Sequence, residues 1–382
     1  MRVLHVSDCY LPRLGGIETQ VHHLALRQRA AGTDAGVLTA TPRARHDRRV
    51  EEVIDGVPVR RASADLPFEL PVHPRTGAQV AAALERARAE GRPVEVAHVH
   101  AGVISPFAYA AVPALLAAGV PVVVSVHSMW GPAGGLLRPL DRVLGWSRRP
   151  VVFSAVSAVA AEPLRRVGAE VRVLPNGIDP QFWRPEPFSD NGSRPSMVHV
   201  VSVMRLAPRK RGLALLRALR DVRRRLPPGI GLRATVVGEG PDRRRLERYL
   251  DGPGAASAMR QWVELPGRWD AEAIRELYRG ADLFVSAATL ESFGIAALEA
   301  RTAGVPVVAR SGTGVGEFVE HGRHGLLVAD DAALADAVLA LCADPARRAR
   351  MAQACRTQLP PTTWDVVLEL CDRAYRDAAS LR

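Results

Sequence analysis

Short valine-rich runs recur along this chain, each followed by a stretch of helical periodicity, and the whole pattern starts twice. Val3–Ser7, Val37–Ala40, Val94–Val99, Pro121–Val126 and Val151–Val156 read as strands, with helices such as Ile17–Ala31, Thr76–Glu90 and Ser105–Ala118 between them. A strand that is apolar throughout has no wet face, so both faces of its sheet need cover. Helices placed between such strands supply the cover and force parallel pairing. Composition then shifts at Pro185-Glu186-Pro187-Phe188-Ser189-Asp190-Asn191-Gly192-Ser193-Arg194-Pro195, a linker by its Pro, Gly and Ser content. The pattern resumes with strand Val198–Val203, helix Leu213–Arg225 and strand Ala234–Val237, and continues through Trp262–Leu265, Asp282–Ser286 and Val305–Ala309. The expected architecture is α/β: two doubly wound parallel-sheet domains, residues 1–185 and 197–359, joined by a linker at 186–196. The final segment, 360–382, carries the helix pattern Thr363–Ala379 after Pro360-Pro361 and is expected to cross back onto the first domain. Ligands of such sheets bind beyond the strand C-termini, where two halves of this kind leave a cleft.

A length of 382 residues with 47% hydrophobic composition can fill two sizeable cores. The formal charge of +11 points to an anionic partner: nucleotide phosphate, anionic lipid or nucleic acid. Arginines are scattered and only 5% of residues are aromatic, so stacking platforms for single strands are scarce. Neither zinc-finger spacing nor an RNA-binding signature occurs, and nucleic acid is not expected as a partner. Cys9, Cys342, Cys355 and Cys371 form no Cys-x-x-Cys, and the last three fall in amphipathic helical stretches, as small core residues in a reducing cytoplasm do. The first residues, Met1 to Asp8, are too short and polar for a signal peptide, and the apolar stretch Ala110–Val126 is cut by Pro113, Gly119 and Pro121. A cytoplasmic location is therefore expected. The basic amphipathic segment Leu136–Arg149 leaves peripheral contact with the inner membrane face open, although a helix covering the first sheet is the favoured reading. Oligomeric state is not readable.

Lys210 is the only lysine among 51 lysine and arginine residues. An ammonium on a flexible stem and a planar guanidinium are not interchangeable at a tight anion site. Lys210 follows an apolar strand in Val203-Met204-Arg205-Leu206-Ala207-Pro208-Arg209-Lys210-Arg211-Gly212, where a doubly wound domain holds phosphate. A second motif, Glu291-Ser292-Phe293-Gly294-Ile295-Ala296-Ala297-Leu298-Glu299, follows the strand Leu283-Phe284-Val285. Free N–H groups at a helix start attract a diphosphate. A glutamate there repels phosphate, so two flanking carboxylates suit sugar hydroxyls better, one reaching a hexose and the other a ribose.

This string, Glu-x7-Glu after a strand, resembles the retaining nucleotide-sugar glycosyltransferases of family GT4, with the GT-B fold of two Rossmann-like domains. The resemblance runs along almost the whole chain. Pro12-Arg13-Leu14-Gly15-Gly16-Ile17-Glu18 is similar to the family's first glycine loop, and Ser125-Val126-His127 to its strand-end histidine. Pro175-Asn176-Gly177-Ile178-Asp179 is similar to its turn before the linker, Arg205-Leu206-x3-Lys210 to its basic pair, and Gly238-Glu239-Gly240-Pro241 to its second glycine loop. Met204 stands where the family has glycine, and Arg211 separates Lys210 from Gly212.

The resemblance implies an acceptor-binding first domain and a nucleotide-sugar-binding second domain. Arg205 and Lys210 would neutralise the donor diphosphate, Glu291 would hold the transferred sugar and Glu299 the ribose. Ser292, Phe293, Gly294 and Ile295 would complete the phosphate cradle, with Gly238 nearby. Gly15 and Gly16 would let backbone approach the phosphates, and His127 would contact the sugar or assist at the reacting centre. The implied reaction moves a hexose (GlcNAc, glucose or mannose) from a UDP- or GDP-sugar to the hydroxyl of a glycolipid, small molecule or natural product. Asp-x-Asp is absent from the chain, so neither a metal nor another cofactor is expected, the basic pair standing in for the metal. A nucleotide-sugar epimerase of the same fold and a non-catalytic nucleotide-sugar-binding protein remain alternatives. His98-Val99-His100 places two imidazoles on one strand face, as a metal site can, but without a third ligand nearby in sequence it reads as a strand-end pair. His22-His23 reads as one inward and one outward residue of the first helix. The arginine bias suits a GC-rich bacterial source.

Overall fold

The computed structural model describes every residue except 14, 44–49, 65–71, 132–138, 140, 143, 144, 185–196, 253–258 and 382. The chain forms two compact units: Met1–Gly177 with Trp364–Arg382, and Ile178–Thr363. The linker 186–196 and residues 136–138, 140, 143 and 144 of the amphipathic segment lie outside the described residues.

The first unit is built on eight strands in the order β3-β4-β2-β1-β5-β6-β7-β8. They are β1 (Arg2–Ser7), β2 (Asp34–Thr39), β3 (Glu51–Ile54), β4 (Val57–Arg61), β5 (Val96–Ala101), β6 (Val122–Val126), β7 (Val152–Ala155) and β8 (Val171–Val173). All pairs are parallel except β3 with β4. That hairpin was not anticipated from the sequence, although Asp55-Gly56 carries its signal. Both residues have positive φ, +49° and +83°, as a tight hairpin turn requires. β5 and β6 are buried at every position. The sheet grows outward from β1 in one direction and from β5 in the other, so its switch point lies between these two strands. Just past β1, the Asp8 carboxylate accepts the N–H groups of Phe107 (3.0 Å) and Ala108 (3.1 Å), capping the helix Pro106–Ala117 from outside.

The second unit carries six parallel strands in the order β11-β10-β9-β12-β13-β14. They are β9 (Met197–Val203), β10 (Gly231–Val237), β11 (Val263–Gly267), β12 (Leu283–Val285), β13 (Val307–Arg310) and β14 (Gly325–Val328). Here the switch point lies between β9 and β12. Its core shows why the pattern folds this way. In the helix Gly212–Arg225, Leu215, Leu216, Leu219 and Val222 are buried while Arg217 and Arg223–Arg225 stay exposed. Each such leucine contributes about 1.5–3 kcal/mol when fully buried.

The first domain ends earlier than its composition suggested, at Gly177 rather than at 185. Ile178 is bound by backbone to the second unit, its N–H donating to the Thr362 carbonyl at 3.0 Å. Trp183 packs against Tyr278 with ring centroids 5.9 Å apart. The helix Trp364–Ser380 belongs to the first unit, where Trp364, Val367, Cys371 and Tyr375 share a core with Val3, Leu24, Val96 and Val123. Gly177 has to be glycine, because a Cβ there would lie 2.3 Å from the Trp364 ring. Among the described residues no helix is long and apolar enough to cross a membrane.

Candidate active site

In the second unit the expected donor residues gather at the switch point. Arg205 lies two residues beyond the C-terminal end of β9, and Glu291 six beyond that of β12, its neighbour in the sheet. The short helix Pro208–Lys210 turns the lysine inward, where its ammonium donates to the Glu291 carboxylate. Both side chains are largely shielded, 17% and 14% exposed. Arg205 is exposed, and its guanidinium has no ion-pair partner among the described residues.

Arg211, the expected departure beside Lys210, has a structural task. It sits in the left-handed region at φ +57°, uncommon for a residue with a side chain. Its guanidinium binds Asp331 through both oxygens, at 2.8 and 2.7 Å, and donates to the Ala287 carbonyl at 3.2 Å. These bonds hold the Asp331 carboxyl below the usual carboxylate range. Arg211 thus pins the loop and leaves Lys210 to face Glu291.

The glycine loop after β10 acts through the same loop. Gly238 has φ +142° and Gly240 φ +153°; a Cβ would lie 1.8 Å from the Met204 carbonyl oxygen and 2.3 Å from that of Leu206, respectively. The Leu206 N–H also donates to the Glu239 carbonyl at 2.8 Å. Gly238 is therefore constrained by close approach to the chain carrying Arg205, a requirement internal to the protein. With Met204 in place of glycine, the loop still fits because the neighbouring strand end has no side chain at the contact.

Glu291, Ser292, Phe293 and Gly294 form a tight bend into the helix Ile295–Thr302. Gly294 takes φ +95° at its N-cap and offers no side-chain cap to the helix start. The first N–H groups of that helix consequently point at whatever anion arrives. Phe293 is buried against Phe318, ring centroids 5.3 Å apart, and the Gly314 N–H donates to the Glu291 carbonyl at 2.8 Å, fixing the bend from behind. Glu299, on the same helix, is partly buried, and burial pushes its carboxyl up to about 8. Its carboxyl group has no hydrogen-bond partner among the described residues.

The remaining expected residues belong to the first unit. Gly15 is the extended N-cap of the helix Gly16–Ala30, and the Glu18 carboxylate folds over it, 2.5 Å from where a Cβ would be. His127 is one residue beyond β6, on the ligand side of a parallel sheet. Its Nε2 lies 3.0 Å from Nδ1 of His100, and burial lowers its pKa to about 4.

The expected strand-end pair His98 and His100 is corrected by the fold. Both lie inside β5, 2% exposed, and β1 brings His5 alongside as a third imidazole. Ring nitrogens of these three lie within 4.8 Å of one another. All six are engaged with protein groups: His5 with Gln28 and His100, His98 with Tyr375 and Ser125, and His100 with His5 and His127. Sequence reasoning missed His5, Gln28 and Tyr375. The available signal was a histidine at the centre of an otherwise valine-rich first strand. His22 points inward to Tyr10 (2.6 Å) and Asp55 (3.0 Å), while His23 is exposed.

Comparison with known proteins identifies the family and the fold. Residues 14–182 match the family described as Glycosyltransferase Family 4, and residues 197–344 match Glycosyl transferases group 1. Glycogen synthase of Mycobacterium tuberculosis is 30% identical over 98% of this chain and 94% of its own length. A GDP-mannose-dependent alpha-(1-6)-phosphatidylinositol monomannoside mannosyltransferase of the same organism is 29% identical, covering 93% of this chain and 92% of its own. Among solved structures, sucrose-phosphate synthase of Thermosynechococcus elongatus superposes with a TM-score of 0.76 at 20% identity, covering 100% of both chains. Anabaena HepE, crystallised with UDP and glucose, gives 0.72 at 19% identity over 98% of this chain and 99% of that one. Two Rossmann-like sheets, family matches in both halves and a relative similar along nearly its entire length together establish that this chain is a GT-B glycosyltransferase and belongs to glycosyltransferase family 4.

Proposed function

We propose that the protein moves a hexose from a UDP- or GDP-sugar to an acceptor hydroxyl, with retention at the anomeric carbon and without a metal. The observation that carries this reading is the shielded contact of Lys210 with Glu291 at the switch point, beside a helix start without a side-chain cap. An ammonium already held by a carboxylate can exchange that partner for a phosphate at little desolvation cost. The diphosphate then takes Lys210, Arg205 and the N–H groups at the start of the helix Ile295–Thr302, and Glu291 turns its oxygens to the sugar hydroxyls. Glu299, protonated near neutral pH, can both donate to and accept from a ribose.

In the transfer, the anomeric C–O bond to the diphosphate breaks and the acceptor oxygen bonds to that carbon on the same face. The acceptor proton passes to an oxygen of the leaving phosphate. Charge grows on the diphosphate as this happens, which is where fixed cations act most strongly. His127 is too weak a base to take that proton, since its pKa falls to about 4, and it serves instead as a neutral hydrogen-bond partner of a substrate hydroxyl. The relatives' names support a hexose donor: a glycogen synthase and a GDP-mannose-dependent enzyme are among them.

A thermal-shift screen of UDP- and GDP-sugars identifies the donor, because a ligand bound to the native form raises the melting point. Nucleoside diphosphate release is then measured with acceptor mixtures and with donor alone, with and without EDTA. Lys210→Ala and Glu291→Ala should abolish release while leaving the circular dichroism spectrum intact. Normal turnover in either folded variant removes the assignment. A new sugar from donor alone identifies an epimerase, and donor binding without consumption a binding protein.

A further inference from the structure

We infer that the β3–β4 hairpin braces the first glycine loop, with Arg61 as the residue that positions it. The functional part rests on the reading of Gly15 and Gly16 as backbone that approaches the donor phosphates. The chain that leaves β1 runs through Asp8, Cys9, Tyr10 and Leu11 into that loop. Tyr10 is fully buried and Asp8 is 3% exposed, so the backbone groups of this segment need partners off the sheet. Each of its four carbonyls has one. The Asp8 carbonyl accepts the Thr41 hydroxyl at 2.9 Å and the Thr39 hydroxyl at 3.3 Å, and the Cys9 carbonyl accepts the Ser7 hydroxyl at 2.8 Å. The Tyr10 carbonyl accepts the Arg13 N–H at 3.1 Å, and the Leu11 carbonyl accepts the Arg61 guanidinium at 2.6 Å. The Tyr10 N–H donates to Thr41 Oγ1 at 3.0 Å.

The contact with Arg61 comes from another part of the sheet. Arg61 is the last residue of β4, 50 positions beyond Leu11, and its side chain reaches across the end of β2. It is 3% exposed, and all three guanidinium nitrogens are engaged. Nε donates to the Glu52 carboxylate of β3 at 2.5 Å, Nη1 to the Thr41 carbonyl at 2.7 Å, and Nη2 to the Leu11 carbonyl. One planar fork thus joins the outer strand of the hairpin, the chain after β2 and the entry to the glycine loop. Glu52 balances the buried charge, which lets the fork stay where it is. A second link starts at the hairpin turn. The Asp55 carboxylate accepts from Nε2 of His22 at 3.0 Å, and Nδ1 of His22 lies 2.6 Å from the Tyr10 hydroxyl. Asp55 is exposed, so this link is the weaker of the two. Both links end on consecutive residues, Tyr10 and Leu11.

The consequence is a fixed starting point for the loop. Backbone that has to come close to a phosphate is sensitive to small shifts, and a misplacement of about 1 Å lowers a rate by up to about a hundredfold. Arg61 acts on the reaction only through the loop and is a positioning residue.

Hydrogen exchange resolved at the Tyr10 and Arg13 amides, combined with steady-state kinetics, tests the brace. Arg61→Met removes the guanidinium and leaves an unbranched side chain in its place. Exchange at these two amides should rise at least about tenfold more than in β1 and β5. In the same variant kcat should fall about tenfold, while donor affinity measured by titration stays unchanged, because Lys210 and Arg205 are untouched. Arg61→Lys keeps a cation beside Glu52 but cannot span the two carbonyls, and it provides the same reading if Arg61→Met does not fold. Unchanged exchange at Tyr10 and Arg13 in a folded variant overturns the brace. An equal rise in β1 and β5 marks a merely structural residue and overturns the positioning role. Raised loop exchange with unchanged kcat overturns the functional part alone. Absence of transfer by the unaltered protein would remove the functional reading and leave the exchange result to decide the brace by itself.

Discussion

Lowering the pH from about 7.5 to about 5 should weaken the first unit while strengthening the second. His5 and His127 have folded pKa values of about 4, against 6.5 when unfolded. Between those two values the unfolded chain binds more protons than the folded one. Their stabilising effect is complete above 6.5 and is lost as the pH falls toward 4. At about pH 5 each withdraws about 2 kcal/mol, and His98 and His100, lowered further still, add in the same direction. Asp8 opposes them. Burial raises its carboxyl to about 6, so the folded state holds its proton more tightly and acidification returns about 1 kcal/mol. In the second unit Glu299, raised to about 8, recovers about 3 kcal/mol over the same interval, partly offset by the lowered His199 and His324. Set against a typical total of about 5–15 kcal/mol, the first unit's loss is large. Hydrogen-exchange mass spectrometry in mild urea, corrected for the intrinsic pH dependence of exchange, reports each unit's peptides separately. Protection in β1, β5 and β6 should drop at the lower pH while that in β9 and β12 holds. A change below about 1 kcal/mol in the first three strands, or earlier loss in the second unit, would refute the reasoning.

Two further outcomes test the site. Lys210→Arg should lower kcat/KM at least about tenfold in folded protein, because a planar fork cannot reproduce a compact ammonium facing Glu291; steady-state kinetics with the identified donor check it. Gly238→Ala should cost about 3 kcal/mol or more in urea unfolding, since its Cβ would lie 1.8 Å from the Met204 oxygen. Gly229→Ala, equally left-handed at φ +88° but with open space around it, should cost only about 1 kcal/mol.

Much of the architecture was legible because valine runs buried on both faces leave few alternatives to a covered parallel sheet. The predicted strands at β1, β6 and β9 agree with the observed ones to within one residue at either end. The β3–β4 hairpin was overlooked because its strands are short and half exposed, which weakens any periodic signal. The first domain's end was misplaced for a related reason. Proline and serine content marks a chain that does not fold locally, whereas the boundary is set by whether Ile178 and Trp183 find partners in one unit or the other.

The site divides along the same line. The lone lysine, the two glutamates eight residues apart and the glycine before Ile295 were visible in the chain, because charge at a helix start and freedom of φ are properties of single residues and their spacing. That Lys210 meets Glu291, that Arg211 is tied to Asp331, and that His5, Gln28 and Tyr375 stand behind His127 were decided only in three dimensions. Hydrogen bonds between residues separated by 81, 120 or 347 positions depend on strand order and register. Those are fixed by the burial of the whole sheet and not by any local run of sequence.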